Sequence, residues 1–119
     1  MIVLVEKKIK DLLPKSMPIV IGDLPGGTSD SIAIKLYDGA YNEHYFRHDT
    51  VFRPVIKMII RNHSYEQAHE WIEIIKHTLN EHSDDYFMSI LLSGYPMYLG
   101  KDTQKLHEFQ VVFNIRVKE

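Results

Sequence analysis

The feature that most constrains this chain is a strictly alternating run that leads through a short turn into a capped amphipathic helix. Between Phe52 and Asn62, the residues Phe52, Ile56, Met58 and Ile60 fall on one side, and Arg53, Val55, Lys57, Ile59 and Arg61 on the other. A period of two marks a strand with one buried face. Pro54 cannot donate to a ladder, which places it near the strand start or on an edge. Ser64 then supplies an N-cap, and Gln67 three residues later completes a capping-box pattern. Ala68, Trp71, Ile72, Ile75 and Leu79 form an apolar stripe at helical spacing, so the sole tryptophan reads as a core residue. Glu66, His69, Glu70, Glu73, Lys76 and His77 supply the wet side. The acids lie early and Lys76 late, as the helix dipole favours.

The remaining segments read as packing partners for this unit. Residues 2–13 place Ile2, Val5, Ile9, Leu12 and Leu13 on one side of a short helix, with Glu6, Lys7, Lys8 and Lys10 opposite. Pro14 and Pro18 mark its end. Met17 to Ile21 is a short apolar run, and a loop rich in turn formers follows from Gly22 to Asp30. Ser31 to Tyr37 alternates Ile32, Ile34 and Leu36 against Ala33, Lys35 and Tyr37, and Asp38-Gly39 is a turn signal. Tyr41 to His48 reads as an exposed strand or a loop. Phe87 to Leu92 is a strand, broken by Gly94-Tyr95-Pro96 and continued by Met97 to Leu99. Phe109, Val111, Phe113, Ile115 and Val117 alternate with Gln110, Val112, Asn114, Arg116 and Lys118. Strands at 31–37, 52–62, 87–92 and 107–118 therefore form a mainly antiparallel sheet. A long amphipathic helix at about 65–81 and the N-terminal helix pack on one face. The expected architecture is an α+β two-layer sandwich, with residues 1–119 as a single domain.

Composition narrows the function classes. The chain has 119 residues, 45% hydrophobic and 25% charged, which suffices for one core. It contains no cysteine, so disulfides and thiolate-ligated metals are excluded. A net charge of −2 argues against a nucleic-acid binder, which carries a basic excess. No stretch approaches the roughly 20 apolar residues of a membrane span. The run Ile2-Val3-Leu4-Val5 is too short for a signal segment. The protein is expected to be made and used without crossing a membrane.

Seven histidines are the one compositional oddity. His69, Glu73 and His77 share a helix face at i, i+4 and i+8. Adjacent pairs are within chelating reach, but the outer two lie about 12 Å apart along the axis and cannot hold one ion. Nothing fixes the geometry of His44 and His48. The glycines of the 22–30 loop invite a phosphate-loop reading, yet the Walker lysine is missing and no helix pattern follows. Ser29, Ser31, Ser64 and Ser89 sit in turns, caps or strands without an elbow motif, and Asp84-Asp85 reads as an exposed loop pair. No catalytic, cofactor-binding or metal residues are assigned. Tyr95, Met97 and Tyr98 are different: flanked by Gly94, Pro96 and Gly100, they form an aromatic, apolar arm of the kind that marks interfaces. Arg53, Lys57 and Arg61, with Arg116 and Lys118, make a basic sheet surface. It reads either as solvated outer face or as a contact for a neighbouring subunit or an acidic partner.

A pattern now emerges from the order of these segments. Gly-Asp-Leu-Pro-Gly-Gly (22–27) precedes Ser-Ile-Ala-Ile-Lys-Leu-Tyr-Asp-Gly (31–39) and Arg-Pro-Val-Ile-Lys-Met-Ile-Ile-Arg (53–61). Ser64-Tyr65-Glu66-Gln67-Ala68 then opens a helix, and an alternating strand closes the chain. This resembles the minor capsid and tail-terminator (tail-completion) proteins of long-tailed bacteriophages and prophages over nearly the whole chain. The resemblance implies a small subunit that forms a ring, commonly a hexamer, at the head–tail junction of the virion after synthesis in the bacterial host cytoplasm. Its implied partners are further copies of itself, the major tail tube protein, and head connector or head-closure proteins, with no membrane and no specific nucleic acid. It brings no catalytic residues and no cofactor. The candidate interface residues are Arg53, Lys57, Arg61, Tyr95, Met97, Tyr98, Asp23, Gly26 and Gly27. Two other functions compete: a head-closure or connector protein, and a small metal-dependent enzyme using the histidines. A nucleic-acid-binding sheet would need aromatics among basic residues, and the acidic balance counts against it.

Overall fold

The computed structural model describes residues 3–26, 29–36, 51–52, 54–102 and 105–118. In chain order the elements are α1 (Val3–Leu12), β1 (Ile19–Ile21), β2 (Ser31–Leu36), β3 (Val51–Phe52), β4 (Val55–Asn62), α2 (Tyr65–Leu79), β5 (Phe87–Leu92), β6 (Met97–Lys101) and β7 (His107–Lys118). The architecture is α+β, a mostly antiparallel sheet with two helices, as the alternation predicts. The turn at Asp38-Gly39 and the segment from Tyr41 to His48 lie outside the described residues.

The longest strand, β7, organises the sheet. β4 lies along one side of it and β5 and β6 along the other, and β2 and then β1 extend the β4 side. The register between Phe52↔Val117 and Val55↔Asn114 gains or loses no residue, so β3 and β4 follow one path. At their join, the Ile115 N–H donates to the Pro54 carbonyl at 3.0 Å. Proline has no N–H to return, so that rung is half made and the strand divides there.

One side of this sheet is the core. Ile56, Met58 and Ile60 of β4 are wholly buried with Phe113 of β7 and Ile90 of β5. Ala68, Ile72, Ile75 and Leu79 of α2 cover them, and Val5 and Ile9 of α1, with Leu13 just past its end, pack beside. Trp71 is half-buried at the margin of this cluster rather than inside it. Glu6, assigned by periodicity to the wet side of α1, is only 8% exposed. Its carboxyl accepts from the backbone N–H of Leu36, which draws it inward, and burial raises its pKa above the usual carboxylate value.

Three further differences from the sequence reading have local causes. The run Met17–Ile21 contains a strand, β1, which pairs parallel with β2 through Ile19↔Ile32. Three residues are too few to display a period. α2 has 15 residues and ends at Leu79, short of the expected 81, so it is not a long helix. Asn80 turns extended at ψ 127°. Its Oδ1 accepts from the Leu92 N–H at 2.9 Å, and the Glu81 N–H donates to the Ile90 carbonyl at 2.7 Å. Pairing with β5 thus replaces the next helical turn. At the other end, Ser64 Oγ accepts from the Gln67 N–H at 3.1 Å, as a cap should. The return arm of the box runs through Asn62 instead: its Oδ1 accepts from the Ser64 N–H at 2.8 Å while its Nδ2 donates to Gln67 Oε1 at 3.0 Å.

Candidate assembly surfaces

The first surface is the outer margin formed by β5 and β6. Four residues lie between Leu92 and Met97, but only two between their partners Phe113 and Gln110 on β7. The margin therefore carries two extra residues, which bulge outward around Gly94 and Tyr95. Gly94 has φ +72° and Gly100, where the β6 register slips again, has φ +100°, both in the left-handed region that glycine tolerates. Tyr95 at the bulge is 94% exposed, and Met97 beyond it is 55% exposed. Tyr98 points the other way and is tied down. Its hydroxyl lies 2.8 Å from His107 Nδ1, and its ring packs 4.9 Å from Phe109 and 5.5 Å from Tyr65 of α2. The three arm residues named from sequence thus divide: Tyr95 and Met97 face outward, while Tyr98 braces the arm against α2.

The second surface is the sheet face turned away from the helices. By register it carries Val55, Lys57, Ile59 and Arg61 of β4, the even-numbered residues Glu108 to Arg116 of β7, and Ser31, Ala33 and Lys35 of β2. The loop after β1 folds across its β2 end. Asp23 Oδ1 accepts from Lys35 Nζ at 2.7 Å, and that bond, with the lysine charge, lowers the Asp23 pKa. Gly26 stands in open space. Ser31 and Ala33 are buried as well as Ile32 and Ile34, so β2 is closed on both sides over its first four residues.

Arg61 departs most from the sequence reading of a wet basic face, since it is 5% exposed. Its Nε donates to the Ser29 carbonyl at 3.1 Å and its Nη2 to Ser31 Oγ at 3.2 Å. Arg61 is therefore a clamp that fixes the loop to β4. Lys57 stays on the face, half-buried, and Arg116 is exposed. Arg53 and Gly27, the remaining candidates, lie outside the described residues.

Sequence reasoning missed a second clasp beside Arg61. The Asp30 carboxylate accepts from the His63 backbone N–H at 2.9 Å and lies 2.8 Å from His63 Nδ1. Nothing local in the sequence couples a loop aspartate to a histidine 33 residues away. Asp84 is likewise structural: it accepts from the backbone N–H of Tyr86 and of Phe87, each at 2.8 Å, and lies 2.8 Å from His82 Nε2. The Phe87 N–H foremost, then His82, holds its carboxyl below the usual range. His69 packs its ring on Tyr65 at 4.7 Å and on Phe109 at 5.1 Å. Among the described residues, no group of three or more histidine or acidic side chains is placed to hold a metal ion. No helix among them is long and apolar enough to cross a membrane.

These features define an α+β protein whose conspicuous surfaces, among the described residues, are an outward arm and a sheet face turned away from both helices. The chain belongs to the bacteriophage tail terminator protein family, whose model matches residues 7–119. No curated protein matches it. The protein is thus a structural component of a phage tail.

Proposed function

We propose that the protein forms a ring, a hexamer in the simplest case, that terminates the tail tube and joins it to the head. Membership of the tail terminator family carries this reading. The outward arm with Tyr95 and Met97 supports it, because a ring subunit needs a protruding contact distinct from the surface that receives it. Further copies of the chain, the tail tube subunit and the head connector are the partners of such a ring. Weak self-association in solution that tightens on the tube tip prevents premature closure.

The test combines light scattering on the free protein with electron microscopy of purified tail tubes after its addition. The expected result is a single ring density at the head-proximal end of tubes that have stopped growing. A protein that stays monomeric at high concentration and binds no tube end would sink the reading. Binding to filled heads but not to tubes would instead assign it to head closure.

A further inference from the structure

The outer margin of the sheet is closed along β5 and open along β6. The Val112 carbonyl accepts from the Ser93 N–H at 2.8 Å, so the even-numbered residues of β7 turn their backbone groups towards this margin. Phe87, Ile90 and Leu92 of β5 stand opposite odd-numbered residues and turn theirs outward. The chain itself meets them. The Phe87 carbonyl accepts from the Asp84 N–H at 2.9 Å and the Ile90 carbonyl from the Glu81 N–H at 2.7 Å, while the Leu92 N–H donates to Asn80 Oδ1 at 2.9 Å. In β6, Met97 and Gly100 stand opposite the even-numbered Gln110 and Glu108, which leaves Tyr98 and Lys101 turned outward. Among the described residues, no group is bonded to the outward backbone of these two. An open edge of this kind is a template for another strand. The exposed side chains of Tyr95, Met97 and Leu99 lie along it.

The opposite margin of the same sheet is β1. The Pro18 carbonyl accepts from the Ile32 N–H at 2.9 Å, and the Gly22 N–H donates to the Ile34 carbonyl at 2.8 Å. Pro18, Val20 and Gly22 therefore turn towards β2, and Ile19 and Ile21 turn outward. The Ile19 N–H donates back to the Met17 carbonyl at 2.9 Å, and Ile21 is exposed. The helices add charge to the two margins. α1 packs over β1 and β2, and α2 over β4, β5 and β7. Lys7 and Lys10 of α1, and Lys15 just past it, are exposed, with Asp11 as the acid among them. Glu66, Glu70 and Glu73 of α2 are exposed, with Lys76 bonded to Glu73 at 3.3 Å.

We infer that the open β6 edge of one copy pairs with the β1 edge of a second copy of this chain, so that neighbours in the ring share one continuous sheet. The apolar side chains of the arm then cover Ile21, and the lysines of α1 lie on the side of the glutamates of the neighbouring α2. Charge complementarity selects this occupant: pairing β6 with β6 would bring two acidic α2 helices together, and pairing β1 with β1 two basic α1 helices. The two edges are different surfaces on opposite margins, so the contact is head-to-tail and repeats around a closing rotation. This inference rests on the ring reading above, and its test separates the two.

The chain has no cysteine, so introduced ones report the contact directly. Ile21→Cys and Leu99→Cys are combined in one chain, assembled on tail tubes and treated with a short cysteine-to-cysteine cross-linker. A ladder of covalent oligomers up to the full ring is expected, and none from either single variant. Rings on tubes without a ladder overturn the inference and leave the ring standing. Dimers from Leu99→Cys alone overturn it too, in favour of β6 meeting β6. Charge reversal is the second readout. Lys7→Glu with Lys10→Glu, and Glu70→Lys with Glu73→Lys, should each keep the wild-type circular dichroism spectrum and lose more than about tenfold in ring assembly. A one-to-one mixture should restore rings that hold both variants in equal numbers. Folded variants that assemble as well as wild type, or a mixture that stays dispersed, overturn the lateral contact. If wild type itself forms no ring on tail tubes, the ring reading falls first and this inference falls with it.

Discussion

On β4, Ile56, Met58 and Ile60 are wholly buried, while Val55, Lys57 and Ile59, one residue out of phase, remain half-exposed. The same contrast runs along β7, where Phe113 is sealed under α2 and its neighbour Val112 is half-covered. Both faces belong to the same strands and share one hydrogen-bond ladder, so the ladder cannot distinguish them. What differs is the second layer. Two helices roof one face, whereas among the described residues a loop reaches the β2 end of the other. The difference teaches that folding of the free subunit rests on one face. The apolar residues on the other are half-exposed and contribute little to it.

That division is broken most easily at adjacent positions on β7. Phe113→Ala should destabilise the monomer by about 3–5 kcal/mol, the usual range for emptying a sealed aromatic site. Val112→Ala should cost under about 1 kcal/mol, since little buried surface is lost. Urea denaturation of both variants, with unchanged slope, measures the pair. Similar losses at the two positions would mean that the open face is already packed in the free subunit.

Arg61 is where the open face behaves as interior, and it gives a second, smaller test. Arg61→Leu removes both donors to the 29–31 segment and leaves the Ser29 carbonyl and Ser31 hydroxyl without them. The expected loss is about 1.5–3 kcal/mol, the range for hydrogen bonds from a charged group. Lys at this position should rescue little, because one ammonium cannot reproduce the planar fork. Proteolysis within the 22–30 loop should quicken in both variants. A thermal midpoint unchanged in Arg61→Leu would return Arg61 to the set of surface charges.

How much of this was legible in the sequence follows from range. The β4 alternation, the Ser64 cap and the α2 stripe are encoded within a few residues, and the structure reproduces them. The closing strand, long and strictly alternating, was equally plain. β1 was too short to show a period, and the end of α2 depends on Asn80 meeting Leu92 across the sheet. The surfaces were less legible than the fold. Tyr95 and Met97 stood out because glycine and proline flank an aromatic run that nothing local buries. Arg61 and Lys57 occupy equivalent positions on one strand, and only the return of the distant 22–30 loop makes one a clamp and leaves the other on the face. Tyr98 follows Met97 by one residue and so faces the opposite way, towards Phe109 and α2; grouping the three by composition passed over that alternation.

The smallest expected effect concerns Glu6, the buried acid on the sealed side as Arg61 is the buried base on the open side. Arg61 meets two acceptors, but the Glu6 carboxyl gains only backbone donors, and burial outweighs them to raise its pKa above 4.5. A raised carboxyl pKa means that the folded state binds its proton more tightly than the unfolded chain does. The penalty for the charged form is therefore absent below about pH 4.5. It grows as pH rises towards the folded value and is constant above it. Glu6→Gln keeps the acceptor for Leu36 and removes the charge. The variant should therefore be the more stable protein at pH 7, with the advantage shrinking as the solution is acidified through pH 4.5. Thermal midpoints of variant and wild type, measured side by side from pH 7 to pH 4, cancel the titration of every other group. A difference that does not change with pH would mean that Glu6 is not held against its charge. The helix side of the sheet would then be more permeable to water than the open face at Arg61.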